Sequence, residues 1–283
     1  MKTQKDREQK FYTKPFASFT AKKQLGQNFL VDPNIKRKII AGCELKKEDV
    51  VLEIGAGLGA LTEEIAGQVK HVFAIETDWQ LLETLRSRIR ASNITLINAD
   101  FLSYPLDSLS GKIKVIGTLP YYITTPIIEK VLQHSHIFNS LYITVQYELA
   151  MRMLAKPNTK EFGSFSCFIQ YFADVQKIVK IKSTAFRPIP KVDSCFIKLV
   201  IHPKPAIKVS DEKLFFFVIH QAFQQRRKNI LNALNALEDK VTLAEIFNKI
   251  NLKGSLRAEN LSLEDFASIT NQLKALRRNR AGG

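Results

Sequence analysis

Four short segments hold the residue types and spacings from which chemistry can be built. Val51-Leu-Glu-Ile-Gly55-Ala-Gly57-Leu-Gly59 places three glycines where an apolar strand pattern turns into a helical one. Such a turn lets backbone approach a ligand closely and leaves helix N–H groups unbonded, so a nucleotide-like cofactor can sit there. Glu76 ends the next β-branched run, 21 residues after Gly55, which is the spacing at which an acid accepts hydrogen bonds from both ribose hydroxyls. Asp100, followed by Phe101, closes a third run, where a carboxylate can accept from an adenine amine. An ordinary helix-cap aspartate would look the same. The fourth segment is Gly117-Thr118-Leu119-Pro120-Tyr121-Tyr122 at the end of another strand pattern.

The glycine spacing is G-x-G-x-G, not the dinucleotide form G-x-G-x-x-G, and Glu53 precedes it by two residues. That shape resembles class I S-adenosylmethionine-dependent methyltransferases. Their cofactor has no pyrophosphate, and an acid beside the loop can face its cationic methionyl end. Glu53 as a structural carboxylate holding the loop is the other reading. Thr118-Leu119-Pro120-Tyr121 is similar to the N-L-P-Y form of the motif of amino-methyltransferases, which act on the exocyclic nitrogen of adenine or cytosine. The lone pair of that amine is delocalised into the ring, so a site helps by accepting its N–H bonds and aiming it at the methyl group. The resemblance makes residue 118 and the Leu119 carbonyl the acceptors, and stacks Tyr121 on a base flipped into the pocket.

Further segments carry the resemblance to a family, the bacterial small-subunit ribosomal RNA adenine-N6,N6 dimethyltransferases. They are Lys22-Lys-Gln-Leu-Gly-Gln27-Asn28-Phe-Leu30, Tyr147-Glu-Leu-Ala-Met-Arg152, Phe162-Gly-Ser164 through Gln170, and Phe186-Arg-Pro-Ile-Pro-Lys-Val-Asp-Ser194. Ala222-Phe-Gln-Gln-Arg226-Arg227-Lys228 and Arg257-Ala-Glu-Asn-Leu-Ser262 continue it toward the C-terminus. The resemblance implies that Gln27, Asn28 and Leu30 close over the methionyl side of S-adenosylmethionine. It likewise implies that Gly55 and Gly57 form the loop, that Glu76 holds the ribose, and that Asp100 and Phe101 hold the adenine. Phe186 would pack on the target base opposite Tyr121, and Arg226, Arg227 and Lys228, on a helix with Phe223, would bind RNA phosphates. The implied reaction is dimethylation of two adjacent adenosines in a 3′-terminal hairpin loop of small-subunit rRNA, late in subunit assembly, with no metal and no covalent nucleophile. One departure bears on rate: the family has asparagine where Thr118 stands, and a threonine hydroxyl is shorter and is itself a donor. Tyr122 also replaces a residue that is usually small and polar. A catalytically weak RNA-binding assembly factor and a large-subunit rRNA methyltransferase are the alternatives.

The elements that must position these residues can be read from periodicity. Strands are expected near Val50–Ile54, His71–Glu76, Ile94–Asn98, Ile113–Gly117 and Leu141–Gln146, with helices between them such as Trp79–Arg90. This is an α/β pattern; the resemblance makes it a Rossmann-like, mostly parallel seven-stranded sheet with a smaller all-α C-terminal domain. Two longer runs, Ala173–Ile181 and Cys195–His202, should close the sheet edge, antiparallel to each other. Beyond Pro205 the patterns are helical: Asp211–Leu237, Leu243–Lys249 and Ser262–Leu276, the last opened by Ser262 with Asp265 three residues on. The expected organisation is a basic arm over 1–24, a cofactor-binding catalytic domain over 25–204 and a helical RNA-recognition domain over 205–283.

Composition sets the class of partner. The 283 residues carry 42 Lys+Arg against 27 Asp+Glu, a net +15, which draws in a polyanion. Small-subunit rRNA, bare or in a partly assembled particle, is the expected partner, and a monomer the default state. No apolar run reaches the roughly 18 residues a bilayer span requires, no secretory signal is visible, and the expected compartment is the cytoplasm. Cys43, Cys167 and Cys195 lack paired spacing and read as buried thiols rather than metal ligands.

Overall fold

The computed structural model describes residues 26–107 and 109–281, so the basic arm and Lys22–Leu25 of the first motif lie outside the described residues. The chain runs through β1 (Phe29–Leu30), α1 (Pro33–Gly42), β2 (Val50–Ile54), α2 (Thr62–Ala66), β3 (His71–Glu76), α3 (Trp79–Arg86), β4 (Ile94–Asn98) and β5 (Ile113–Thr118). It continues through α4 (Thr124–Gln133), β6 (Phe138–Gln146), α5 (Tyr147–Leu154), α6 (Ser164–Phe172), β7 (Ala173–Ile181), β8 (Phe186–Arg187) and β9 (Ser194–Ile201). Four helices follow: α7 (Glu212–Gln224), α8 (Ile230–Ala233), α9 (Lys240–Lys249) and α10 (Leu263–Ala281).

Seven strands form one sheet in the order β4-β3-β2-β5-β6-β9-β7. The first five pair in parallel, and β9 runs antiparallel to β6. Strands such as Val-Val-Leu-Glu-Ile and Ile-Lys-Val-Ile-Gly-Thr are near-continuous apolar runs because a parallel sheet is covered on both faces. From β2 the chain moves outward to β3 and β4, then returns to lay β5 on the other side of β2. The direction of winding reverses there, which opens a crevice at the carboxyl ends of the strands. A second, two-stranded sheet pairs β1 with β8, Leu30 opposite Phe186.

The predicted strands through β5 are all present, and the seven-stranded sheet is as expected. The two longer runs close one edge of the sheet as expected, β9 lying between β6 and the border strand β7. Helix α3 stops at Arg86 rather than Arg90, and the expected Asp211–Leu237 helix breaks into α7 and α8 around a turn at Gln225–Lys228. Ser262 does open α10: Asp265 N–H donates to the Ser262 hydroxyl, and the Asp265 carboxylate accepts from Ser262 N–H.

The chain divides into two compact units, Met1–Ala150 with Gln176–Pro203, and Met151–Val175 with Lys204–Gly283. Among the described residues, the second unit therefore takes residues 151–175, which the sequence alone assigns to the catalytic domain. The cause is apolar packing. Phe162, Cys167 and Tyr171 share a core with Phe215, Val218 and Ile219, and Ala206 N–H donates to the Tyr171 carbonyl. The first unit has its own core of α1, β2, β3 and β6 side chains. The three cysteines are free and buried.

Candidate active site

The carboxyl ends of β2, β3, β4 and β5 converge on a cavity of about 370 Å³ within the first unit. Of the residues singled out from the sequence, Gln27, Asn28, Leu30, Gly55, Gly57, Glu76, Asp100, Phe101, Thr118, Leu119 and Pro120 all line it. Glu53, Tyr121 and Phe186 do not.

The glycine loop forms the floor because only glycine fits there. Gly55 and Gly57 adopt φ of 73° and 56°, a region that costs other residues roughly 1–2 kcal/mol. A Cβ on Gly55 would lie 3.3 Å from Leu119, and one on Gly57 3.5 Å from the Phe29 ring. The loop is anchored by Gly55 N–H to the Ile75 carbonyl at 2.8 Å. Glu76 is buried and fully oriented: Oε2 accepts from Gly57 N–H at 2.8 Å and Oε1 from Asp78 N–H at 2.9 Å. Carboxylate lone pairs not taken by backbone donors are left for a hydroxyl donor in the cavity. Burial raises the Glu76 pKa, and the backbone N–H groups of Asp78, Gly57 and Thr77 oppose that rise.

Asp100 answers to both sequence readings. Its Oδ1 caps the following turn by accepting from Leu102 N–H at 2.9 Å, and the residue lines the cavity. That turn is tied down by a residue the sequence reading missed. Lys130 on α4 donates to the carbonyls of Phe101, Leu102 and Tyr104 at 2.8, 2.9 and 2.8 Å. Its ammonium also stands 5.0 Å from the centre of the Phe101 ring. On the opposite wall, Gln27 donates to the Asp78 carboxylate at 3.1 Å, which joins the N-terminal motif to the loop after β3. Asp32 caps α1 through Asn34 and Ile35 N–H, with Pro33 in the first turn.

Beyond β5, Tyr121 begins a short 3₁₀ turn that leads into α4, with Thr124 Oγ1 donating to the Pro120 carbonyl. The Tyr121 hydroxyl is 2.7 Å from Ser194 Oγ on β9. Burial raises its pKa, and the hydrogen bond with Ser194 opposes the rise. Tyr122 lines the cavity and is 62% exposed.

Three expectations need correction. Phe186, expected against a target base opposite Tyr121, is buried at 3% exposure in the core beneath β1, because strand pairing with Leu30 turns it inward. Glu53 lies in the sheet beneath the loop, buried, and burial pushes its carboxyl up to about 8, which disfavours the charged form and fits the structural reading. The Arg226-Arg227-Lys228 cluster is in the turn after α7 rather than on the helix. Arg226 Nη2 donates to the Lys160 and Phe162 carbonyls at 2.7 and 3.2 Å and to Glu259 at 3.2 Å, so its guanidinium is engaged internally. Arg227 and Lys228 are exposed. Lys36 and Arg88, both cations lining the cavity, were not foreseen; Lys36 has a signal in hindsight, since it breaks the apolar face that Ile39 and Ile40 continue.

The residues present fit an S-adenosyl group: a cradle that a Cβ would fill, an oriented carboxylate at ribose spacing, and Asp100 at the next strand end. No group of three or more His, Cys, Asp or Glu side chains among the described residues is arranged to hold a metal. No helix among the described residues is long and apolar enough to cross a membrane.

Comparison with known proteins places the geometry in context. A relative from Clostridium botulinum, named ribosomal RNA small subunit methyltransferase A, is 41% identical over 257 residues, 89% of this chain and 94% of the relative. A protein of the same name from Bacillus mycoides is 40% identical over 268 residues, 90% and 92% of the two chains. The fold is similar to that of a dimethyladenosine transferase from Plasmodium falciparum, with TM-score 0.76, 23% identity and coverage of 89% and 97%. It is also similar to that of the 23S rRNA methyltransferase ErmE, with TM-score 0.70, 24% identity and coverage of 87% and 100%. The profile of the family described as ribosomal RNA adenine dimethylase matches residues 18–275, nearly the whole chain. With that match and relatives some 40% identical along almost their full length, the chain belongs to the ribosomal RNA adenine dimethylase family.

Proposed function

We propose that this protein transfers methyl groups from S-adenosylmethionine to the N6 atoms of two adjacent adenosines in small-subunit rRNA, giving N6,N6-dimethyladenosine. One observation carries the reading: the glycine cradle, the oriented Glu76 carboxylate, Asp100 and Thr118-Leu119-Pro120 line a single cavity at the sheet's topological switch point. Glu76 would hold the ribose hydroxyls, Asp100 and Phe101 the adenine, and Gln27, Asn28 and Leu30 the methionyl side. Bound there, S-adenosylmethionine would supply an electrophilic methyl on sulfonium sulfur.

The protein's share of the chemistry is positioning. The Thr118 hydroxyl and Leu119 carbonyl accept the N–H bonds of the target amine, which turns its lone pair toward the donor. Formation of the N–C bond would be matched by breaking of the donor's S–CH3 bond, with neutral S-adenosylhomocysteine leaving and the amine proton passing to solvent; a second donor molecule would serve the second transfer, in which the monomethylated nitrogen has one N–H left to donate to these acceptors. Tyr121 offers its ring to a flipped base, and the bond to Ser194 fixes the ring's azimuth. The 40% identity to small-subunit relatives favours the small subunit over the large.

The test is to incubate the protein with methyl-labelled donor and small subunits lacking dimethyladenosine, with large subunits as control, and to locate label by nuclease digestion and chromatography. Label in dimethyladenosine of the small subunit is expected. Thr118 motivates a second reading, a cofactor-binding assembly factor with weak catalysis; binding without label would favour it. Label in the large subunit would overturn the substrate assignment.

A further inference from the structure

Lysine 36 stands out by its setting. It sits on the inward face of α1 with Ile39 and Ile40, is 3% exposed, and lines the cavity. An ammonium held in the wall of a cavity, away from bulk water, acts on an anion inside it with little screening. Burial lowers its pKa to about 8, and Glu64, just beyond the glycine loop, opposes that shift. Glu64 lies on α2, the helix that follows the glycine loop, and its charge acts on Lys36, which puts Lys36 toward that end of the cavity. Glu76 and Asp100 stand at the ends of β3 and β4. Among the lining residues the carboxylates are Glu76 and Asp100 and the cations are Lys36 and Arg88, and of the two cations Lys36 is the buried one.

We propose that Lys36 binds the α-carboxylate of the methyl donor and makes the site selective for donors that carry one. The inference rests on the S-adenosylmethionine reading above. Lys36 acts on the ground state of the donor, so it is a binding residue whose effect should appear in affinity without any RNA present.

The experiment measures binding by calorimetry on the full chain, comparing S-adenosylmethionine with its decarboxylated analogue, which keeps the adenosyl, sulfonium and amine and lacks only the carboxylate. The wild type should prefer the carboxylate-bearing ligand. Lys36→Met should weaken S-adenosylmethionine about 10- to 100-fold, the range of one hydrogen bond between charged groups, and leave the analogue's affinity unchanged or improved. Lys36→Arg should retain the preference, which separates loss of charge from loss of packing. Equal weakening of both ligands, or of neither, overturns the assignment while leaving the donor reading intact; so does finding the selective loss in Arg88→Ala instead. If the wild type binds neither ligand, the donor reading itself fails and the Lys36 assignment falls with it.

Discussion

Under the function proposed above, Thr118 is the residue on which turnover should depend most. Its hydroxyl reaches less far than an asparagine amide and must place its own proton, so it is a less constrained acceptor for the target amine. Thr118→Asn is expected to raise kcat by roughly tenfold or more, short of the 10²–10³ that removal of a whole preorganised group costs. Affinity for S-adenosylhomocysteine should stay unchanged; an equal change in both would assign Thr118 to donor binding instead. Glu53 gives a second prediction at this scale. Its folded pKa is raised to about 8 by burial, against roughly 4.3 in an unfolded chain. Its protonated form is favoured by folding, so its stabilising effect is complete below about pH 4 and is lost as pH rises through 8. Glu53→Gln removes that titration. The difference in Tm between Glu53→Gln and wild type should therefore move in the variant's favour from pH 5 to pH 9, and a difference independent of pH would show that Glu53 does not titrate in this window.

Lys130 shows how one element sets the geometry of another. Three carbonyls of the turn after β4 converge on its ammonium, so α4, which follows the Thr118–Tyr121 motif directly, holds the turn that carries Asp100 and Phe101. Lys130→Met should cost about 1–3 kcal/mol in stability, read in urea, and should weaken adenosine binding severalfold; Lys130→Arg should restore part of both. Loss of stability with intact adenosine affinity would make the tie purely structural. No sequence signal announces this tie, because Lys130 looks like any lysine on an amphipathic helix, and its partners are backbone carbonyls 26–29 residues away. The parallel strands were legible for the opposite reason: both faces are covered, so Val50–Ile54 and His71–Glu76 stand out as apolar runs. The break after α7 was hidden, since Gln225-Arg-Arg-Lys228 contains neither glycine nor proline and the apolar period resumes at Ile230. Phe186 was misplaced because its motif gives its identity, whereas the pairing with Leu30 that buries it is long-range.

At the scale of the whole molecule, a net +15 gives RNA affinity a large electrostatic share, yet the cationic residues are not equivalent. Contiguity along the chain misled the reading of the helical unit, because Ser164–Phe172 precedes β7 in sequence but buries its aromatic side chains among those of α7. Arg226 belongs to that internal construction. Its guanidinium joins residues 160–162 to the turn at Glu259, and Asn158 N–H donates to the Glu259 carbonyl beside it. Arg226, Arg227 and Lys228 are all exposed, but Arg226 is tied by the bonds above, so under the proposed function Arg227 and Lys228 are the ones expected to meet phosphate. Removing one cation that pairs with a phosphate should reduce the slope of log K against log salt by about 0.7–0.9. Arg227→Ala and Lys228→Ala are thus each expected to lower the slope by nearly one and leave thermal stability unchanged. Arg226→Ala should do the reverse, lowering stability by about 1 kcal/mol with the slope intact. If Arg226→Ala alone flattened the salt dependence, the internal role assigned to it would be wrong, and the cluster would act on RNA as the sequence first suggested.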